Sequence, residues 1–259
     1  MGRLVAAAAE RARAPLATPA ELRARAADLP APPSLEAALR GEHVRVIAEV
    51  KRASPSKGAI APGLAAGAQA ARYVDGGASA ISVLTEPSAF GGALADLDEV
   101  TRAVAVPAIR KDFIVDHVQL WEARCAGASG ALLIARALAP DALERLIEAA
   151  RLVGVTPVVE VRTSDELGRA LNANASVIGV NNRNLETLEI DPTTAERLIP
   201  EIPAGCLAIA ESGMQSAADV ARYARVGADA VLVGSAVSAA PDAAAAVRAL
   251  THAPRVARR

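Results

Sequence analysis

Short apolar runs rich in valine and isoleucine recur at residues 46–50, 80–84, 106–109, 131–135, 156–161, 177–180, 207–210 and 230–233. Runs of this length and composition, bounded by Gly, Pro and Asn, predict eight strands. Their roughly 20 to 35 residue spacing leaves room for one helix between neighbours, and helical periodicity fills several gaps, for example 141–152 and 217–226. Asp75-Gly76-Gly77-Ala78, Cys125-Ala126-Gly127-Ala128 and Arg225-Val226-Gly227-Ala228 place glycine between helix and strand, where it tolerates a left-handed helix end.

Eight near-equal βα units imply an α/β fold, a closed parallel (β/α)8 TIM barrel with an N-terminal helical extension. A doubly wound open sheet is the rival, but no Gly-x-Gly-x-x-Gly follows the first strand. The extension, residues 1–45, carries helical stretches at 4–13 and 20–28. The breaker Leu29-Pro30-Ala31-Pro32-Pro33 follows, then a short helix at 35–39. Residues 46–259 form the barrel, and the whole is read as one structural domain.

Composition narrows the class. The chain has 259 residues, 52% of them hydrophobic, with a net charge of -1, so no bulk basic charge recommends nucleic acid. The apolar N-terminal run is far shorter than the roughly 20 residues of a spanning helix, and Glu10, Arg11 and Arg13 follow it, so no membrane is expected. Cys125 and Cys206 form no Cys-x-x-Cys pair, which points to a reducing compartment, the cytoplasm, and to neither a disulfide framework nor a zinc cluster. His43, His117 and His252 stand apart from other ligand types, so no metal site is expected.

Barrel active sites lie at the C-terminal ends of the strands. Here those ends are charged: Glu49-Val50-Lys51, Arg110-Lys111-Asp112, Glu160, Asn181-Asn182-Arg183 and Glu211-Ser212-Gly213. Period-two alternation puts Glu49 and Lys51 on one side of the first strand and Val50 on the other. Ser54-Pro55-Ser56-Lys57-Gly58, Glu211-Ser212-Gly213 and Gly234-Ser235-Ala236 offer hydroxyls, a cation and glycine amides suited to a phosphate. Ordinary turn chemistry explains any one of them; together they favour a phosphorylated small molecule.

In order and wording these segments resemble the indole-3-glycerol phosphate synthase family. The resemblance runs from Ile47-Ala48-Glu49-Val50-Lys51-Arg52-Ala53-Ser54-Pro55-Ser56-Lys57-Gly58 through Ile81-Ser82-Val83-Leu84-Thr85-Glu86, Phe90-Gly91-Gly92 and Arg110-Lys111-Asp112-Phe113-Ile114. It continues in Val159-Glu160-Val161, Gly179-Val180-Asn181-Asn182-Arg183-Asn184-Leu185, Ala210-Glu211-Ser212-Gly213 and Val233-Gly234-Ser235. One departure is Gly127-Ala128-Ser129-Gly130, where the family usually has Gly-Ala-Asp.

The resemblance implies ring closure, decarboxylation and dehydration of 1-(2-carboxyphenylamino)-1-deoxyribulose 5-phosphate to indole-3-glycerol phosphate in tryptophan biosynthesis, by a carboxy-lyase that needs no cofactor. It makes Lys111 the general acid at the carbonyl oxygen, Lys51 the holder of the substrate carboxylate and a proton donor in dehydration, and Glu160 the proton-transfer partner. Glu49 and Glu211 orient lysines and hydroxyls, and Asn181 supports the reacting carbonyl. Ser54, Phe113, Arg183 and Ser212 bind substrate; Ser54, Gly213, Gly234 and Ser235 hold its phosphate; Phe113, Leu132 and Leu133 are candidates to meet the anthranilate ring. Phosphoribosylanthranilate isomerase is the alternative, but it would present a cysteine at the first strand and an aspartate after the sixth, where Glu49 and Asn181 stand. A barrel that binds a phosphate ligand without turnover is the non-enzyme alternative, and intact Lys51, Lys111 and Glu160 argue against it. A monomer is expected.

Overall fold

The computed structural model describes residues 1–15 and 17–258. Leu16 and Arg259, which fall in the two segments divided at residue 45, lie outside the described residues. Eight parallel strands close into a barrel: β1 (Arg45–Val50), β2 (Ala80–Leu84), β3 (Ala108–Lys111), β4 (Gly130–Ile134), β5 (Thr156–Val161), β6 (Val177–Asn181), β7 (Leu207–Glu211) and β8 (Ala230–Val233). Each pairs with its sequence neighbours, and β1 closes on β8 with Arg45 opposite Ala230. The expected (β/α)8 barrel is the architecture found.

The third strand departs furthest from its expected bounds; β1, β4, β6 and β7 differ by a single residue at one or both ends. The apolar run 106–109 predicted the third strand, but β3 begins after Pro107, which has no N–H for the ladder, and runs on through Arg110 and Lys111. Charge did not end it because each side chain has a destination. Arg110 points outward and is buried against the Glu122 carboxylate (3.0 Å), the Gln119 carbonyl (2.6 Å) and Asp112 (3.2 Å), while Lys111 points inward.

Three helices precede the barrel: α1 (Gly2–Arg13), α2 (Pro19–Ala27) and α3 (Leu35–Ala38). Thr18 caps α2 with a reciprocal Glu21 bond, and Ser34 caps α3, so each start is written locally. Leu35 and Leu39 are fully buried in one cluster with Ile47, Ile109, Val158, Val177 and Leu207, the side chains that fill the barrel interior. Helix α3 therefore plugs the end where the strands begin, Leu35 pressing on Gly130, and α1 lies at the opposite end.

The remaining helices are α4 (Ala66–Asp75), α5 (Pro87–Phe90), α6 (Leu94–Ala103), α7 (His117–Cys125), α8 (Pro140–Leu152), α9 (Ser164–Asn172), α10 (Thr193–Leu198), α11 (Ala217–Arg225), α12 (Ser235–Ser238) and α13 (Ala243–Arg248). They form the outer ring; α8, for example, buries Leu143, Leu146, Ile147 and Ala150 at helical spacing. Gly77, Gly127 and Gly227 after α4, α7 and α11 take φ of 96°, 79° and 91°, the left-handed ends expected of them. Leu133, expected beside the aromatic ring, instead faces this helical layer, because alternation on β4 turns Leu132 inward and Leu133 outward.

Ser129, the departure from Gly-Ala-Asp, lies before β4, at the barrel end away from the charged strand ends. The corresponding Asp229 before β8 shows what an aspartate does there: its carboxylate accepts from Ala208 N (2.8 Å) and pairs with buried Arg258 (2.8 Å). The departure is thus structural. No described helix is long and apolar enough to cross a membrane, and no cluster of three metal-ligand side chains occurs among the described residues.

Candidate active site

Strand direction collects the charged ends at one mouth of the barrel. A cavity of about 380 Å³ opens there, and it is lined by all thirteen candidates: Glu49, Lys51, Ser54, Lys111, Phe113, Glu160, Asn181, Arg183, Glu211, Ser212, Gly213, Gly234 and Ser235. At its floor the Lys111 ammonium donates to Glu160 Oε2 (3.1 Å) and Glu211 Oε2 (2.8 Å). Lys51 donates to Glu49 Oε1 (3.1 Å) and lies 5.9 Å from the centre of the Phe90 ring. Three buried carboxylates thus surround two ammonium groups, with Arg183 half-buried at the rim.

That balance sets the proton affinities. Burial disfavours the Lys111 ammonium, but Glu211, Glu160 and Glu49 outweigh it and push its pKa well above the ordinary lysine value. Glu211 is pushed up to about 7 by its own burial; Lys111 opposes this, while Glu160 and Glu49 add to it. Its Oε1 is buried without a hydrogen-bond partner among the described residues, whereas Oε2 accepts from Lys111. Arg183 is lowered by burial, with Glu49 opposing; its guanidinium donates to Leu188 O (2.7 Å) and its backbone N–H to Asn181 Oδ1 (2.9 Å), so Asn181 is held by the turn it precedes.

The two sides of the mouth differ in character. Ser54, Ser212, Gly213, Gly234 and Ser235 follow β1, β7 and β8, which are consecutive around the barrel. Ser54 Oγ accepts from Lys57 N (3.2 Å), leaving its proton free to donate. Ser212 and Gly213 take φ of 64° and 91°; a serine in the left-handed region is uncommon and marks a turn held for a purpose. Buried Asn182 holds that turn, donating to Ser212 O at 3.0 Å. The apolar residues Leu4, Phe90, Phe113, Leu132, Ile134 and Leu185 line the other side, from α1 and from segments of β2, β3, β4 and β6, while Met214 and Leu232 add apolar surface beside the hydroxyl-rich turns.

A family comparison decides what this mouth belongs to. The sequence profile described as indole-3-glycerol phosphate synthase matches residues 2–250. The chain belongs to the indole-3-glycerol phosphate synthase family. Indole-3-glycerol phosphate synthase 1 of Streptomyces coelicolor is 54% identical over 233 residues, 90% of this chain and 87% of that protein. The Mycolicibacterium gilvum synthase is 49% identical over 242 residues, 93% and 89% of the two chains. The chain is accordingly an enzyme of that kind. Among solved structures, 3-hexulose-6-phosphate synthase from Salmonella typhimurium superposes with a TM-score of 0.65 at 18% identity, covering 80% of this chain and 96% of that one. Thiamine phosphate pyrophosphorylase from Pyrococcus furiosus gives 0.60 at 17%, covering 82% and 95%. At such identities the likeness shows the fold alone.

Sequence reading overlooked several residues of this synthase-family site. Phe90 lies in the Phe90-Gly91-Gly92 motif with no role evident from the motif itself, yet the chain has two phenylalanines and both line the cavity, so aromatic scarcity is the signal that points to it. Leu4 reaches it from α1 and Met1 from the residue before that helix, which no local pattern announces. Arg11 tethers that helix, donating to Asp112 Oδ1 (2.8 Å) and standing 3.8 Å from Glu86. Burial works against the Glu86 carboxylate, but bonds from Ser88 and the Ala89 amide, with Arg11, hold it below the usual glutamate range. His43, His117 and His252 are exposed and away from the cavity, and both cysteines are free.

Proposed function

We propose that this enzyme is a carboxy-lyase that converts 1-(2-carboxyphenylamino)-1-deoxyribulose 5-phosphate into indole-3-glycerol phosphate, carbon dioxide and water, the step of tryptophan biosynthesis for which its relatives are named. The observation that carries the reading is Lys111, bridged between Glu160 and Glu211 on the floor of a cavity that is apolar on one side and rich in hydroxyls and glycine amides on the other. A substrate with an aromatic carboxylate at one end and a phosphate at the other fits such a divided mouth.

Phe90, Phe113, Leu132 and Leu4 take the anthranilate ring, and Ser54, Ser212, Gly213, Gly234 and Ser235 take the phosphate. The Lys111 ammonium then lies against the ketone oxygen and gives it a proton as the ring carbon attacks, an electrostatic and general-acid role for a cation held by two carboxylates. Lys51 pairs with the substrate carboxylate until it leaves as carbon dioxide and the ring regains aromaticity. Loss of the resulting hydroxyl as water needs a proton from Lys51 or Lys111 and a base for the ring-carbon proton, the role this reading gives to Glu160 or Glu49. Asn181 and Arg183 hold the oxygens of the chain. The reading carries with it a monomeric, cytoplasmic enzyme working without a cofactor.

The test is to mix purified protein with the carboxyphenylamino deoxyribulose phosphate and follow indole fluorescence, with Lys111→Met alongside. The parent forms the indole product, and the variant loses roughly 10²- to 10⁴-fold in kcat, the usual worth of a positioned acid. A folded parent that yields no indole product refutes the assignment.

A further inference from the structure

Gly179 stands in the middle of β6 between buried Ile178 and Val180. Its φ is not in the left-handed region, so the backbone gives no reason for glycine there, and glycine inside a strand weakens it unless another group needs the space. The group that uses it is the Glu211 carboxylate. A β-carbon built on Gly179 would overlap Glu211 Oε1 and lie 3.1 Å from the carboxyl carbon and 3.6 Å from Cγ; all three nearest atoms belong to that one side chain. The Glu211 head therefore lies across the bare backbone of the neighbouring strand, with Oε1 buried in the notch and Oε2 turned to Lys111 at 2.8 Å. The same device recurs at Gly234, where an added β-carbon would overlap Glu49 Oε1 and lie 3.2 Å from its carboxyl carbon.

We propose that Gly179 is a positioning residue for the reaction, acting through Glu211: the side chain it lacks is the space that lets the buried carboxylate reach the Lys111 ammonium. A methyl group at 179 drives the carboxylate out of the notch, and the displacement breaks the bond to Lys111. This rests on the reading of Lys111 as the acid.

The experiment is a double-mutant cycle of Gly179→Ala and Glu211→Ala, read by kcat, KM and melting temperature. Gly179→Ala lowers kcat by about 10²-fold, as misplacement of about 1 Å does, and changes KM by less than about threefold. In the Glu211→Ala background the added methyl meets no carboxylate, and its further effect on kcat is under about threefold. An equal loss in both backgrounds, or full activity in Gly179→Ala, overturns the proposal. If Gly179→Ala does not fold, a folded double variant supports the steric coupling, whereas failure of both shows that the strand itself requires glycine and overturns it. A parent without turnover refutes the reaction instead, and the cycle in melting temperature then decides the notch: a loss in the parent that vanishes without Glu211 supports it, and an equal loss in both overturns it.

Discussion

Glu211→Gln should make the protein more stable at neutral pH while reducing its turnover. Glu211 is pushed from the ordinary 4.5 up to about 7, chiefly by burial and further by Glu160 and Glu49, with Lys111 opposing. Between those values the folded state holds a proton that the unfolded chain has released, so the contribution is full below 4.5 and is lost as pH rises through 7. At roughly 1.4 kcal/mol per pH unit, a rise from 4.5 to about 7 amounts to about 3 kcal/mol. Lys111, raised above its ordinary value, is charged in both folded and unfolded states across this range and leaves the slope unchanged. Glutamine keeps the shape, and Lys111 retains Glu160 at 3.1 Å, so the variant escapes the penalty of a stranded cation. For a chain of this length about 3 kcal/mol is worth roughly 6–12 °C. Melting temperatures of parent and variant from pH 4.5 to 8 should therefore diverge by that amount, the variant gaining relative to the parent as pH rises. Two curves that stay parallel across this range refute the argument.

Two further predictions concern the ends of the chain. Arg11→Ala removes the tie from α1 to Asp112 and Glu86; because the guanidinium side chain is one-third exposed the loss is modest, and KM should rise about 5- to 20-fold with kcat within about threefold, measured by initial rates. An unchanged KM would mean that α1 docks through Met1, Leu4 and Ala8 alone. Asp229→Ala removes the carboxylate partner of Arg258 and Arg255 and the acceptor of the Ala208 amide at the far end of the barrel; Arg258 keeps the Ile202, Cys206 and Gly227 carbonyls, so the loss is about 3 kcal/mol, or roughly 6–12 °C in melting temperature, with kcat at 25 °C unchanged. A loss of kcat in the folded variant would contradict the separation of the two barrel ends.

The barrel was legible because each of its levels is local. Strands announced themselves as valine-rich runs, and helix ends as glycines that do take positive φ. The charged candidates that meet in the cavity were legible for a different reason: the fold rule puts function at strand C-termini, so a charged residue following an apolar run carries position as well as chemistry, whereas Phe113 entered only through the family resemblance. The same reliance on apolar runs clipped β3 before Arg110 and Lys111, since nothing local says that Arg110 has Glu122, Gln119 and Asp112 waiting outside the strand. Arg11 was invisible for the same reason; its partners lie 75 and 101 positions away in the chain.

Gly179 shows where such reading ends. Read alone, a glycine within Ile178-Gly179-Val180 is a weak spot in a strand, and Glu211 is a charge following another. The reason for each is the other, and it appears only when β6 and β7 lie side by side with Asn181 opposite Glu211. Placing a third carboxylate beneath two ammonium groups runs against stability, and a valine at 179 would strengthen the strand. Both choices become coherent once a cation must be gripped from below and left facing a substrate from above. Glu160 alone could hold Lys111 from one side. With Glu211 seated in the notch, the ammonium is held at two points, which leaves one of its three protons to donate elsewhere.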